Sequence, residues 1–173
     1  ALSDRWALPP RPEDALEAAM KGAGKGFRLY NWALPAEHVL LAPWGLVVLA
    51  LFNHDGPVVV RGRRWRDARP AWRRILGLGR RPVRDPSHLL ALETRALANA
   101  LVTRDDALGD VVIEGLAVFT RPGMALDALE PNVPALRAAD LRDWLRAEGR
   151  RSPLPATDRR RLERALEALA AER

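Results

Sequence analysis

Residues 37–56, EHVLLAPWGLVVLALFNHDG, constrain the fold of this chain more than any other stretch. The longest apolar run, 46–52, falls far short of the roughly 18 residues a membrane span needs, and it suits a buried strand. Residues 37–42 and 45–52 therefore read as two buried strands, with Pro43 and Trp44 at the tight turn between them. The second strand runs out into a polar corner, Asn53-His54-Asp55-Gly56, where the residue types are those of a turn.

The 173 residues are enough to enclose a sizeable core in one domain, and 48% of them are hydrophobic. Without cysteine there is neither a disulfide framework nor a thiolate metal site, which fits a reducing compartment. No signal peptide is visible. The chain begins at Ala1 rather than at a methionine, which leaves room for an upstream segment such as an anchor. The net charge of +6 is concentrated in one place. Residues 61–84 carry ten arginines and a single acid, Asp67, for +9, so the remaining residues sum to −3.

Residues 1–11, with Trp6 and the Pro9-Pro10 pair, read as an extended lead-in. Pro12 opens a short helix to about residue 23, because Glu13 and Asp14 suit the positive end of a helix dipole, and GAGKG ends it. Residues 27–31 form a first strand by alternation. Residues 57–65, PVVVRGRRW, read as a further strand or a hairpin with Gly62 at its tip. In 66–84, Trp72 and the Ile75-Leu76 pair suggest a short helix lying on the body. Asp85-Pro86 starts a helix reaching about residue 102, with Leu90, Leu97 and Leu101 on one face. A buried strand follows at 111–120, then a short strand at 133–137 and a helix at 140–148 stopped by Gly149. Thr157 is placed to cap a last helix in which Leu162, Ala165, Leu166 and Leu169 recur at helical spacing. The order predicts an α/β fold, a mixed central β-sheet flanked by helices.

The succession GFRLYNWALPAEHVLLAPWGLVVLALFNHDGPV, RGRRW, DPSHLLALETRAL, GLAVFTRPGMAL and VPALRAADLRDWLR resembles a NERD (nuclease-related) domain, in the divergent bacterial branch that follows an N-terminal membrane anchor. The resemblance covers residues 12–146 and leaves 147–173 as a linker and a C-terminal helix packing on the same domain. It implies a restriction-endonuclease-like fold of the PD-(D/E)XK superfamily, at the cytoplasmic face of a membrane. It also implies a site in which two carboxylates hold Mg²⁺ and a lysine helps to orient the attacking hydroxide. Active members carry acid-x-Lys-Asn just before the turn. Asn53 matches that asparagine, which sets Ala50 at the acid and Phe52 at the lysine. Glu37 falls near the first acid, and Glu17 near a further acidic position. A methyl and a phenyl group cannot hold the metal or steer water, so a degenerate site is expected, with no catalytic residue, no metal and no cofactor.

Other readings of the same residues stay open. Glu17, Glu37 and Asp55 could form a relocated site taking Mg²⁺ and hydrolysing phosphodiesters, with His54 beside them; alternatively, 53–56 is simply a turn. His38 reads as a strand-end surface residue, and His88 as a solvated residue in a first helical turn. The arginines, with Trp65 and Trp72 among them, suit phosphate contacts interleaved with base stacking, and Arg61, Arg63, Arg64, Arg66, Arg73 and Arg74 are the candidate contacts to DNA or RNA. The same charge could rest on an anionic membrane surface, or belong to a solvated loop whose tryptophans turn inward. The amphipathic helix RRLERALEAL, residues 160–169, could serve a protein partner. Gly22, Gly24 and Gly26 are no dinucleotide fingerprint, since they follow a helix and precede a strand.

Overall fold

In the computed structural model the described residues are 11–24, 26–70 and 83–172. A short helix, α1 (Pro12–Met20), leads into a meander of three strands, β1 (Arg28–Asn31), β2 (His38–Ala42) and β3 (Gly45–Phe52). A tight hairpin follows, β4 (Val58–Arg61) and β5 (Arg64–Asp67), and then α2 (Ser87–Arg104) and a 3₁₀ turn (Asp106–Leu108). The remainder is β6 (Ile113–Phe119), β7 (Leu126–Leu129), β8 (Ala135–Arg137), a second 3₁₀ turn (Ala138–Asp140), α3 (Leu141–Glu148) and α4 (Ala156–Ala171).

The strands form two sheets. The central one has the order β1-β2-β3-β6-β8; β1 with β2 and β2 with β3 pair antiparallel, whereas β3 with β6 and β6 with β8 pair parallel. A second, three-stranded sheet has the order β5-β4-β7. The chain is thus α/β, with a mixed central sheet flanked by helices.

β3 lies in the middle of its sheet, between β2 and β6, and residues 45–50 are buried without alternation. A strand covered on both faces has no solvent side on which to place polar residues, and hence the run LVVLALF. Its side chains still alternate between two cores. Leu46, Val48 and Ala50 point to a face covered by Leu90, Leu97 and Leu101 of α2 and by Leu162, Ala165 and Leu166 of α4. Val47 and Leu49 point to the other, where Leu16 of α1 and Leu141 and Leu145 of α3 close the layer. The second sheet lies against the first of these cores through Val58, Val60 and Trp65.

The β2–β3 turn depends on Gly45. A Cβ there would stand 2.4 Å from the backbone oxygen of Val112, which accepts the Leu46 N–H at 2.9 Å. At the tip of the β4–β5 hairpin Gly62 takes φ +54°, a left-handed conformation that glycine adopts at no steric cost.

The structure departs from the sequence reading at definite points. One sheet was expected and there are two, because 126–129 form β7, which pairs in parallel with β4. α1 ends at Met20, short of residue 23. The last helix begins at Ala156, so Thr157 lies within its first turn and Pro155 takes the cap position. The helix expected from Asp85-Pro86 begins one residue later, at Ser87 with Pro86 in the cap position, and Asp85 stands just outside it, its Oδ1 accepting the Ser87 N–H at 2.9 Å. His38 is buried rather than on the surface: its Nδ1 lies 3.0 Å from Asn31 Oδ1, and Trp32 packs edge-on against its ring. The lead-in at 1–10 and the short helix expected around Trp72 fall outside the described residues. Among the described residues no helix is long and apolar enough to cross a membrane.

Candidate functional site

The end of β3 is where the sequence concentrates its candidate residues, and the structure surrounds it with apolar groups. Ala50 is 6% exposed and belongs to the core beneath α2 and α4. The Phe52 ring stacks on Phe119 (centroids 5.0 Å apart) and on Trp65 (6.0 Å), which are 6.3 Å from each other. The register explains the stack: Phe52 pairs with Phe119 across the parallel β3–β6 ladder, and Trp65 reaches over from the second sheet. The position that the resemblance assigns to a lysine is therefore the centre of an aromatic cluster joining the two sheets.

The residual acids do not converge. The β2–β3 register, Val39 opposite Val48, would set Glu37 opposite Ala50 if carried one step further along that face. Glu37 precedes the strand, however, is half-buried, and gives its carbonyl to the Trp32 N–H at 2.7 Å. Glu17 is exposed on α1, which covers the opposite face of the sheet from Ala50 and Phe52. Asp55 is exposed and lies 3.3 Å from Arg69 Nη1. Among the described residues no group of three or more His, Asp or Glu side chains is placed to hold a metal ion. The donor set thus does not fit the magnesium that the resemblance implies.

In place of a metal site, the Asn53–Gly56 corner contains a buried polar knot. His54 is 5% exposed, and its Nε2 lies 3.1 Å from Asp67 Oδ2. That approach is off the direction a hydrogen bond needs, and this nitrogen has no aligned partner among the described residues. Asp67 is instead gripped by Arg69, whose Nε donates to Oδ2 at 2.8 Å and whose backbone N–H donates to Oδ1 at 2.8 Å. Gly56 makes the close approach possible, since a Cβ there would meet Arg69 Nε at 2.7 Å and His54 Nε2 at 3.1 Å. Burial pushes the His54 imidazole below its ordinary value; Asp67 opposes this and the Arg69 charge adds to it. Burial works against the Asp67 carboxylate, but the Arg69 hydrogen bonds outweigh it and hold Asp67 below the usual carboxylate range.

The sequence reading took 53–56 as a turn or a metal site and did not anticipate this knot. The signal was present in Asp67, the one acid among the ten arginines of 61–84.

Three of the six described arginines in 61–84 face carboxylates. Arg61 pairs with Asp127 of β7 (2.5 Å), Arg63 approaches Asp85 (3.5 Å), and Arg69 belongs to the knot. Arg64 and Arg66 alternate with Trp65 on β5, so both are exposed on one face while the tryptophan points inward. Trp65 is 6% exposed and its Nε1 donates to Asn132 Oδ1 at 3.0 Å, so its ring cannot stack on a base, a correction to the expectation for this residue. Arg73, Arg74 and Trp72 lie outside the described residues.

Comparison of this chain with protein-family models, with curated proteins and with solved structures finds no match.

Proposed function

We propose that this chain is a binding module on a nuclease-related scaffold, one that contacts the phosphate backbone of nucleic acid without hydrolysing it. The observation that carries the loss of hydrolysis is the surroundings of Ala50 and Phe52. The two positions where the resemblance requires ionisable groups hold a methyl in an apolar core and a ring in an aromatic stack. Metal-assisted phosphodiester cleavage needs several oxygen ligands at that point, and among the described residues no group of three or more His, Asp or Glu side chains is placed to supply them. The order of helix, antiparallel meander, helix and parallel strand agrees with the resemblance, as does the mixed sheet. The NERD-like branch named above adds the expectation of a position at the cytoplasmic face of a membrane.

Arg64 and Arg66 support the binding half of the proposal, being exposed on one face of β5 with no carboxylate beside them among the described residues. Such contacts are sequence-independent and salt-sensitive. Replacing both arginines by alanine is expected to weaken binding to labelled single- and double-stranded oligonucleotides about tenfold at low salt. The slope of log affinity against log salt should flatten by about 1 to 2. Anionic vesicles form a parallel arm, and an effect of the double variant confined to them would move the role from nucleic acid to a lipid surface. Incubation of plasmid and single-stranded DNA with Mg²⁺ or Mn²⁺ is expected to leave both uncut. Cleavage that disappears in Glu37→Ala would sink the non-hydrolytic reading.

A further inference from the structure

Beside the carboxyl ends of the parallel strands β6 and β8, between α1 and α3, lies an open crevice of about 540 Å³ that none of the hairpin arginines lines. The volume lies within the range of small-molecule sites. Its lining is chemically divided. Ala15, Ala18 and Ala19 of α1, with Pro122, give it an apolar floor, while Arg121, Arg137, Arg142 and Arg146 supply four guanidinium groups.

These arginines are not equivalent. Arg137 makes a two-point pair with Asp140, at 2.7 and 2.8 Å, and Arg146 lies 3.3 Å from Asp143. Arg121 and Arg142 have no carboxylate partner among the described residues, and Arg142 Nε is buried with no hydrogen-bond partner there. Because Nε is enclosed, a ligand in the crevice would meet the terminal nitrogens of this half-buried guanidinium, which take a planar or tetrahedral oxyanion at two points. Of the two carboxylates in the lining, Asp143 is held by Arg146, and Asp14, on the α1 wall, has no arginine beside it among the described residues. A carboxylate in that position repels a second anion but accepts from a hydroxyl.

We propose that this crevice binds a small phosphomonoester, its phosphate held by Arg121 and Arg142, its hydroxyl-bearing body against the alanine floor and Asp14. Two unpaired arginines match a phosphate dianion, and the apolar floor suits a sugar or nucleoside of mononucleotide size. The site stands apart from the hairpin face assigned above to nucleic acid and does not depend on that assignment.

Titration calorimetry with ribose 5-phosphate, AMP, adenosine and a short oligonucleotide tests the proposal on the whole chain. Ribose 5-phosphate or AMP is expected to saturate the protein below about 1 mM, and adenosine is not expected to bind. Tight AMP with weak ribose 5-phosphate identifies a nucleotide; comparable affinities identify a sugar phosphate. Arg142→Gln should weaken the bound phosphomonoester at least about tenfold and Arg142→Lys less. Arg64→Ala with Arg66→Ala should leave this binding unchanged. A thermal melt of each variant shows whether it is folded, and Arg121→Gln, at a half-buried position, supplies a second test should Arg142→Gln fail to fold. The proposal is overturned by the absence of saturable binding of either phosphorylated probe at about 10 mM, by binding indifferent to both glutamine variants, or by binding of the oligonucleotide alone.

Discussion

His54 is the residue whose environment carries the clearest consequence for solution behaviour. It is 5% exposed, and burial keeps its imidazole neutral below the ordinary value of 6.5. The unfolded chain therefore takes up a proton near pH 6.5 while the folded chain does not, and stability falls as pH drops from 6.5 toward the lowered folded value. Asp67 adds a second loss in the same direction, below its ordinary 3.8, as the carboxylate held by Arg69 becomes protonated. Urea unfolding of the parent chain is expected to show a falling midpoint between about pH 7.5 and 5.5, and His54→Gln should flatten that segment while leaving the deeper acid loss in place. An equal slope in both proteins would mean that His54 is solvated. At this scale the sequence was only partly legible. Ala50 and Phe52 could be read as apolar positions because they close an uninterrupted apolar run. His54 could not be read as buried, because its partners Asp67 and Arg69 lie on a hairpin whose path depends on contacts remote in sequence.

Elements with a strong local period were the legible ones. β3 and β6 declare themselves by uninterrupted apolar runs, and α2 by Leu90, Leu97 and Leu101 on one face, all buried. β7 was missed for a physical reason. Only Leu126 among its four residues is even half-buried, so the strand carries no alternation, and it exists because β4 offers it a parallel edge. The β2–β3 turn was legible as a turn, but not in what its glycine does. The Val112 oxygen that would meet a Cβ at 2.4 Å belongs to the strand approach 67 residues further on. Because that oxygen is backbone and already accepts from Leu46, it cannot yield without displacing the start of β6. Gly45→Ala is accordingly expected to cost about 2 to 3 kcal/mol, a fall in melting temperature of roughly 4–12 °C. A melt within about 2 °C of the parent would show that the β3–β6 junction can open to admit a methyl group.

At the scale of the whole molecule, the described residues form two sheets packed through Val58, Val60 and Trp65, and two further devices tie them at the end of β3. One is the Phe52–Phe119–Trp65 stack, which is apolar and tolerant of small shifts. The other is the knot in which Asp67, at the end of β5, sits between Arg69 and His54, at the corner leaving β3. Asp67 and Arg69 side chains are 10% and 15% exposed, so their attraction is only weakly screened, but both have lost most of their hydration. Such a pair contributes little net stability against an apolar replacement, yet removing one partner strands the other. Asp67→Ala leaves the Arg69 guanidinium largely desolvated beside a buried imidazole, with only the exposed Asp55 carboxylate at 3.3 Å still facing it, and is expected to cost about 2 to 3 kcal/mol, or roughly 4–12 °C in melting temperature. Asp67→Leu combined with Arg69→Met removes both charges and should recover a large part of that loss. The double change should also abolish the acid loss below pH 3.8 assigned to Asp67. Should the double variant be no more stable than Asp67→Ala, the knot would be a source of net attraction between the sheets. A single variant costing less than about 1 kcal/mol would mean that the stack alone sets their orientation. Either result bears on the proposed function, because Arg64 and Arg66, the phosphate contacts proposed above, ride on the sheet that the knot attaches.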